Sequence, residues 1–251
     1  VSLHGMYETI DAEYRKTILP RLVERTGCLV YTAEKNLGAL LESGLIDKED
    51  IPRIDNALVE FDFEPFDRAT LDIPEDAFVL TNVSRAFDFK GWAEGIEAVE
   101  RARAKTGADI RLILIGEGPE FDRLQAAGVP DFVYLEGFQS NIRGYFAASD
   151  LGFLPSRFHG ESFPLVLIDC LIAGQPFLAT SVGEIPYMLS SDHGVAGEMG
   201  DLQDWEIPVD QLAEIIGKLA VDQKEYNILK SNVPHALQKF DTGLLQQNYD
   251  A

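Results

Sequence analysis

Cysteine is nearly absent: Cys28 and Cys170 are the only two in 251 residues, so neither a disulfide framework nor a CxxC zinc or redox site is available. Each stands in an apolar stretch, which predicts buried, reduced thiols. Histidine is equally sparse. His4, His159, His193 and His235 are scattered without metal-ligand spacing, and no metal site is expected. No apolar run approaches the roughly 20 residues needed to cross a bilayer. No charged-then-apolar leader opens the sequence, so a cytoplasmic location is expected. Positive charge is scarce too: 21 Lys and Arg stand against 42 Asp and Glu, a formal net charge of -21. That field repels nucleic acid, and no basic stripe with interleaved aromatics overcomes it, so nucleic acid is excluded as a partner. Internal repeats and low-complexity tracts are also missing.

What is present is an ordinary globular composition, 46% hydrophobic and 25% charged, enough for one large domain or two small ones. From Phe78 onward, β-rich runs at Phe78 to Ser84, Ile110 to Ile115, Phe132 to Leu135, Leu151 to Leu154 and Phe177 to Thr180 alternate with helical patterns. Those helices are expected at 92–105, 119–127, 140–148 and 164–173. This alternation predicts a doubly wound α/β domain with a parallel sheet. Ahead of it, helices over Tyr7 to Arg25 and Glu34 to Ser43 flank a strand at Cys28 to Thr32, an incomplete βαβ fragment. Asp55 to Asp76 reads as a linker. After Pro208 the pattern is helical, over Val209 to Ala220, Gln223 to Ser231 and Thr242 to Tyr249. The first residue is Val1, and Val1-Ser2-Leu3 resembles the inside of a strand, which suggests a piece of a longer chain.

Ligands of open parallel sheets bind at the carboxyl ends of the strands, and three segments there carry candidate chemistry. In Val83 to Trp92, Arg85 and Lys90 lie between a strand and a helix, placed to hold a diphosphate or simply to solvate a loop. In Ile115 to Glu120, Gly116 and Gly118 form a strand-to-helix turn that admits close backbone approach. Phe121 stands where a dinucleotide fingerprint needs a third glycine, which disfavours an NAD site. In Leu154 to Ala173, Pro164 opens a helix and the N–H groups around Ser162, Phe163 and Leu165 form an anion site. Asp169 sits within the apolar run Leu165 to Ile172. A buried carboxylate needs a partner, either a ligand hydroxyl or a structural arginine.

Two other chemistries are disfavoured. If both were helical, Glu161 and Asp169 would lie about 12 Å apart along the axis, beyond the roughly 5–9.5 Å of glycosidase pairs. Gly160 to Pro164 lacks the second glycine of a nucleophile elbow, which argues against a serine hydrolase.

These segments together resemble glycosyltransferase family 4, retaining enzymes of GT-B architecture with two facing Rossmann-like domains. The resemblance rests on Pro155-Ser156, on Glu161 followed after seven residues by Asp169, on Ala173-Gly174-Gln175-Pro176 and on Val182-Gly183-Glu184-Ile185-Pro186. Lys90-Gly91 and Gly116 to Pro119 fall in the matching order. It implies an incomplete acceptor-side domain over 1–62, a nucleotide-sugar-binding domain over 63–238, and a terminal helix over 239–251 that returns to the first. It implies transfer of a sugar from a UDP- or GDP-linked donor to a saccharide or lipid-linked acceptor, in polysaccharide biosynthesis, with no cofactor and no metal.

By the same resemblance, Glu161 contacts the donor sugar, Asp169 the ribose, Arg85 and Lys90 the diphosphate, and the backbone of Ser162 to Leu165 cradles the phosphates. Loops at Gly116 and Gly137-Phe138 set the base. His4 is similar to a histidine lining the cleft, and Ile54-Asp55-Asn56-Ala57 to the interdomain segment. Membrane contact is expected only at the cytoplasmic face, through further acceptor-side residues. Three positions depart from the pattern: Asp169 replaces a Glu, Ala57 a Gly, and Tyr187 the Glu that often follows Ile-Pro. A sugar-nucleotide epimerase or hydrolase of the same fold, and a non-catalytic donor-binding module, are the rival readings.

Overall fold

The computed structural model describes Ser2, Leu3 and residues 11–250; His4, expected in the cleft, lies outside them. The N-terminal unit pairs β1 (Ser2–Leu3) in parallel with β2 (Val30–Tyr31). Between them runs α1 (Ala12–Arg25), whose first turn is capped by Asp11 accepting from the N–H groups of Glu13 and Tyr14. The expected helix at 34–43 splits into a 3-10 turn at Glu34–Asn36 and α2 (Gly38–Glu42). Leu19, Leu37, Leu40 and Ile51 form its core. Cys28 is exposed, against expectation: the strand expected over Cys28 to Thr32 is only the two-residue β2, and Cys28 lies ahead of it, whereas Cys170 is buried.

The larger unit contains β3 (Phe78–Val83), α3 (Trp92–Thr106), β4 (Ile110–Ile115), α4 (Pro119–Ala127), β5 (Val133–Gly137), α5 (Ile142–Ala147) and β6 (Leu151–Leu154). It continues through α6 (Leu165–Ile172), β7 (Phe177–Thr180), α7 (Ile185–Leu189), a hairpin of β8 (Ser190–Ser191) with β9 (Gly194–Val195), and β10 (Gly197–Gly200). Six strands form one parallel sheet in the order β10-β7-β6-β3-β4-β5. All residues of β6 and β7 are buried, the expected state of strands covered on both faces by helices. β10 was absent from the strand expectations, since Gly-Glu-Met-Gly has neither apolar continuity nor β-branching.

Three helices close the chain: α8 (Val209–Val221), α9 (Gln223–Leu237) and α10 (Thr242–Asp250). α9 continues past the expected end at Ser231 and carries Pro234 inside it. Burial of Val233 and Ala236 in the core that covers β7 holds that last turn. α10 lies beside Arg53 and Asp55 of the N-terminal unit across a cavity of about 220 Å³.

The strand order reverses between β3 and β6, which are neighbours in the sheet although β4 and β5 intervene in sequence. Connections leave these two strands on opposite sides and open a crevice beyond their carboxyl ends.

Candidate nucleotide-sugar site

Lys90 follows β3 and Glu161 follows β6, so the reversal brings both to this crevice. The Lys90 Nζ donates to Glu161 Oε2 at 2.5 Å, and both residues are buried. Gly91, the N-cap residue of α3, follows Lys90 directly, and the 3-10 turn Asp88–Lys90 fixes the lysine's direction. The ammonium also lies 5.2 Å from the Phe158 ring centroid. Arg85, one turn earlier, is exposed; its guanidinium lies 5.4 Å from the Phe87 ring, and it makes no ion pair among the described residues.

The Gly160 to Pro164 segment leads into α6, where Pro164 is the N-cap residue rather than the first helical one. No side chain caps this helix. The N–H groups of Ser162, Phe163, Leu165 and Val166 donate to no acceptor among the described residues. Such unspent donors at a helix start attract an anion. Gly183 makes the loop possible: at φ +55 its backbone lies so close that a Cβ would stand 2.3 Å from the Glu161 carbonyl. Gly116 plays a similar part beside β4, where at φ +141 a Cβ would stand 1.9 Å from the Ser84 carbonyl. The close approach at Gly116 is thus made by protein backbone, which presses the Gly116 to Gly118 turn against Ser84 to Ala86.

The remaining expected contacts divide. Leu165 is 43% and Phe138 72% exposed, both reachable by a ligand. The Phe163 ring packs edge-on against Phe240, at 5.8 Å, while its N–H is one of the unspent donors. Asp169 is not unpaired: Arg143 Nε donates to its Oδ1 at 2.7 Å, and Arg143 is itself held by the Val59 carbonyl and lies 4.1 Å from the Phe61 ring. Of the two partners open to Asp169 in the sequence, the structure supplies the arginine. Burial raises the Asp169 carboxyl above the usual range, and Arg143 offsets part of that rise. Asp169 Oδ2 has no hydrogen-bond partner among the described residues.

Residues to which the sequence assigned no donor-binding role tie the two units together at this loop. Lys35 Nζ donates to the carbonyls of His159 and Glu161, at 2.7 and 2.6 Å. Glu184 accepts from the Glu34 N–H and pairs with Arg53, both at 2.8 Å, while its own N–H donates to the Ser162 carbonyl. Arg53 lies over Tyr187 at 3.7 Å, and Tyr187 donates to Asp55 at 2.5 Å. A cavity of about 210 Å³ lies between the units, lined by Thr32, Asn36, Asn56, Glu161 and Ser162 among others. The signal for Glu184 was its place inside the motif Val182 to Pro186; Arg53 and Lys35 had none.

The sequence model of the family described as glycosyl transferases group 1 matches residues 63–235, well over half of the chain. The chain belongs to this family. It is 31% identical over 148 residues to N-acetyl-alpha-D-glucosaminyl L-malate synthase of Bacillus anthracis, 57% of this chain and 37% of that protein. It is 32% identical over 151 residues to the lipopolysaccharide core biosynthesis glycosyltransferase LpsE of Rhizobium meliloti, 58% of this chain and 42% of that one. The chain therefore matches less than half the length of either relative. Anabaena HepE, solved in complex with UDP and glucose, superposes with a TM-score of 0.77 at 21% identity over 99% of this chain and 69% of HepE. That likeness establishes the fold of this group 1 chain as the GT-B type. Among the described residues no helix is long and apolar enough to cross a membrane.

Proposed function

We propose that the chain holds a nucleoside diphosphate sugar and serves its transfer, with retention of anomeric configuration, to the hydroxyl of a saccharide or lipid-linked saccharide in the cytoplasm. The observation that carries this reading is the buried Lys90–Glu161 pair beside the uncapped start of α6, at the reversal point of the sheet. A relative named as a glycosyltransferase, and a structural neighbour solved with UDP and glucose, support the same chemistry.

In this proposal the diphosphate lies against the N–H groups of Ser162 to Val166, with Arg85 and Lys90 at its oxygens. As the glycosidic bond breaks, negative charge grows on the leaving phosphate and positive charge on the sugar ring. Cations and aligned N–H groups that meet the first charge stabilise the transition state more than the bound donor. Glu161, held by Lys90, faces the sugar, and the leaving phosphate takes the acceptor proton. Two protein cations and a helix N-terminus supply the charge, so the scheme requires neither a metal nor a cofactor. Phe138 and the Gly116 turn flank the base, and Asp169 Oδ2 is the oxygen offered to the ribose while Arg143 holds Oδ1. The 63–238 segment binds the donor, and 1–62 with the terminal helix faces the acceptor.

Calorimetry with UDP, GDP and their sugars tests the donor reading. Binding of one nucleotide series, weakened when Lys90 and Arg85 are replaced, supports it. Binding of none overturns it and favours a non-catalytic module.

A further inference from the structure

On the rim beyond Glu161, Trp205 occupies a backbone position that tryptophan seldom takes. Gln203 and Glu206 exchange backbone hydrogen bonds at 3.1 and 2.8 Å, closing a tight turn over Asp204 and Trp205. Both turn residues have positive φ, 50° and 67°. Turns with two left-handed central residues favour Asn-Gly or Asp-Gly, because a Cβ is strained there. Asp204 fits the first place; Trp205 stands where glycine would be relaxed. A large, rigid ring is thus held at a strained position, and the residue remains 42% exposed. Such strain collects where a side chain is presented for use.

The surroundings have the composition of a carbohydrate contact. The Trp205 ring lies parallel to the His159 ring, with centroids 4.1 Å apart, and its Nε1 donates to the Arg157 carbonyl at 2.8 Å. His159 is two residues from Glu161, in the same loop. Around the ledge Arg157 gathers Asp88, Glu94 and Glu206, at 2.7, 2.6 and 3.4 Å. The Asp88 and Glu206 side chains remain 81% and 76% exposed. An aromatic plane meets the apolar C–H face of a pyranose, while flanking carboxylates and a guanidinium pair with its hydroxyls.

We propose that Trp205, with His159 beneath it and Asp88, Arg157 and Glu206 around it, is a saccharide subsite that holds a pyranose ring of the acceptor beyond the reacting hydroxyl. This rests on the transfer reading above only for the word acceptor; the ledge's affinity for a saccharide is independent of it.

The chain has two tryptophans. Trp92 is fully buried, so a change in emission on adding saccharide that is lost in Trp205→Gly reports Trp205. The chain is titrated with lactose, maltose, chitobiose and mannobiose, and separately with UDP and GDP. At least one disaccharide is expected to quench or shift the Trp205 emission, and neither nucleotide to do so. Saturation-transfer NMR then follows the responding disaccharide on Trp205→Gly, which relaxes the turn and removes the ring, and on Trp205→Tyr, which keeps a stacking ring but loses the Nε1 bond. Binding is expected to weaken at least about tenfold in the first and to return largely in the second, with nucleotide affinity by calorimetry unchanged in both. No response to any disaccharide, undiminished binding by Trp205→Gly, or an equal response to nucleotide alone overturns the subsite. A disaccharide response in a chain that binds no nucleotide upholds the subsite and overturns the transfer reading.

Discussion

Arg143 and Asp169 form a 2.7 Å ion pair between α5 and α6, with the arginine side chain 4% and the carboxylate 14% exposed. The pair joins the helix that follows the Glu161 loop to the segment around Val59 and Phe61 that leads out of the N-terminal unit.

Breaking the pair is expected to destabilise the fold in a pH-dependent way. Arg143→Met leaves Asp169 buried without its cation, at a cost of about 3–5 kcal/mol near neutral pH. The Asp169 carboxyl already lies above its ordinary value, so its native form binds a proton more readily than the unfolded chain does. Its contribution to stability is present below the unfolded value and lost as pH rises through the folded one. The deficit of Arg143→Met should therefore shrink as pH falls toward the range where Asp169 is neutral, in urea unfolding curves of both proteins. An equal deficit at every pH would show that the cation, not the carboxylate, is the source.

Lys90→Ala removes the donor to Glu161 and one proposed phosphate cation. Donor turnover in the complete polypeptide is expected to fall about 100-fold or more, in line with losing a charge-stabilising donor. Nucleotide affinity should fall much less. Steady-state rates beside calorimetry separate the two, and unchanged turnover would remove Lys90 from the chemistry.

Gly183→Ala puts a methyl group 2.3 Å from the Glu161 carbonyl at a left-handed φ of +55. The strained conformation alone costs about 1–3 kcal/mol. The collision must also move the Glu161 loop, so nucleotide affinity should drop together with the melting temperature. Gly128→Ala, at φ +79 with nothing within 4 Å of the added methyl, provides the control: it should lower stability and leave nucleotide affinity as it was.

Lys239 donates to the carbonyls of Tyr187 and Ser190 at 2.5 Å each, and burial lowers it from 10.5 to about 8. Between about 8 and 10.5 the unfolded chain holds more protons at this residue than the folded one, so its contribution to stability rises with pH across that window. Relative to Lys239→Met, the wild-type chain should gain stability from pH 8 to pH 10. A constant difference in unfolding free energy over that window would contradict the burial of this ammonium.

Periodicity and local chemistry made most of the larger unit legible. Ile and Leu continuity marked β4 and the short Phe-Leu-Ala run marked β7, Gly91 and Gly118 marked helix starts, and the segment from Gly160 to Asp169 marked a loop entering an apolar helix. These signals are carried by neighbours in the chain, so they survive without the fold. β10 carried no such signal, because Gly197 and Gly200 fit beside β7 and against α8 only after those elements have packed.

Tertiary structure alone decided which groups meet. Lys90 and Glu161 are 71 residues apart, and only the reversal between β3 and β6 makes them a pair. The partner of Asp169 could have been a ligand or an arginine, and the contact of α5 with α6 made it Arg143. Glu184 and Glu34, 150 residues apart, show the limit most clearly. A buried carboxylate demands a donor, and sequence states that demand, but which donor answers depends on how two separately packed units come to rest against each other.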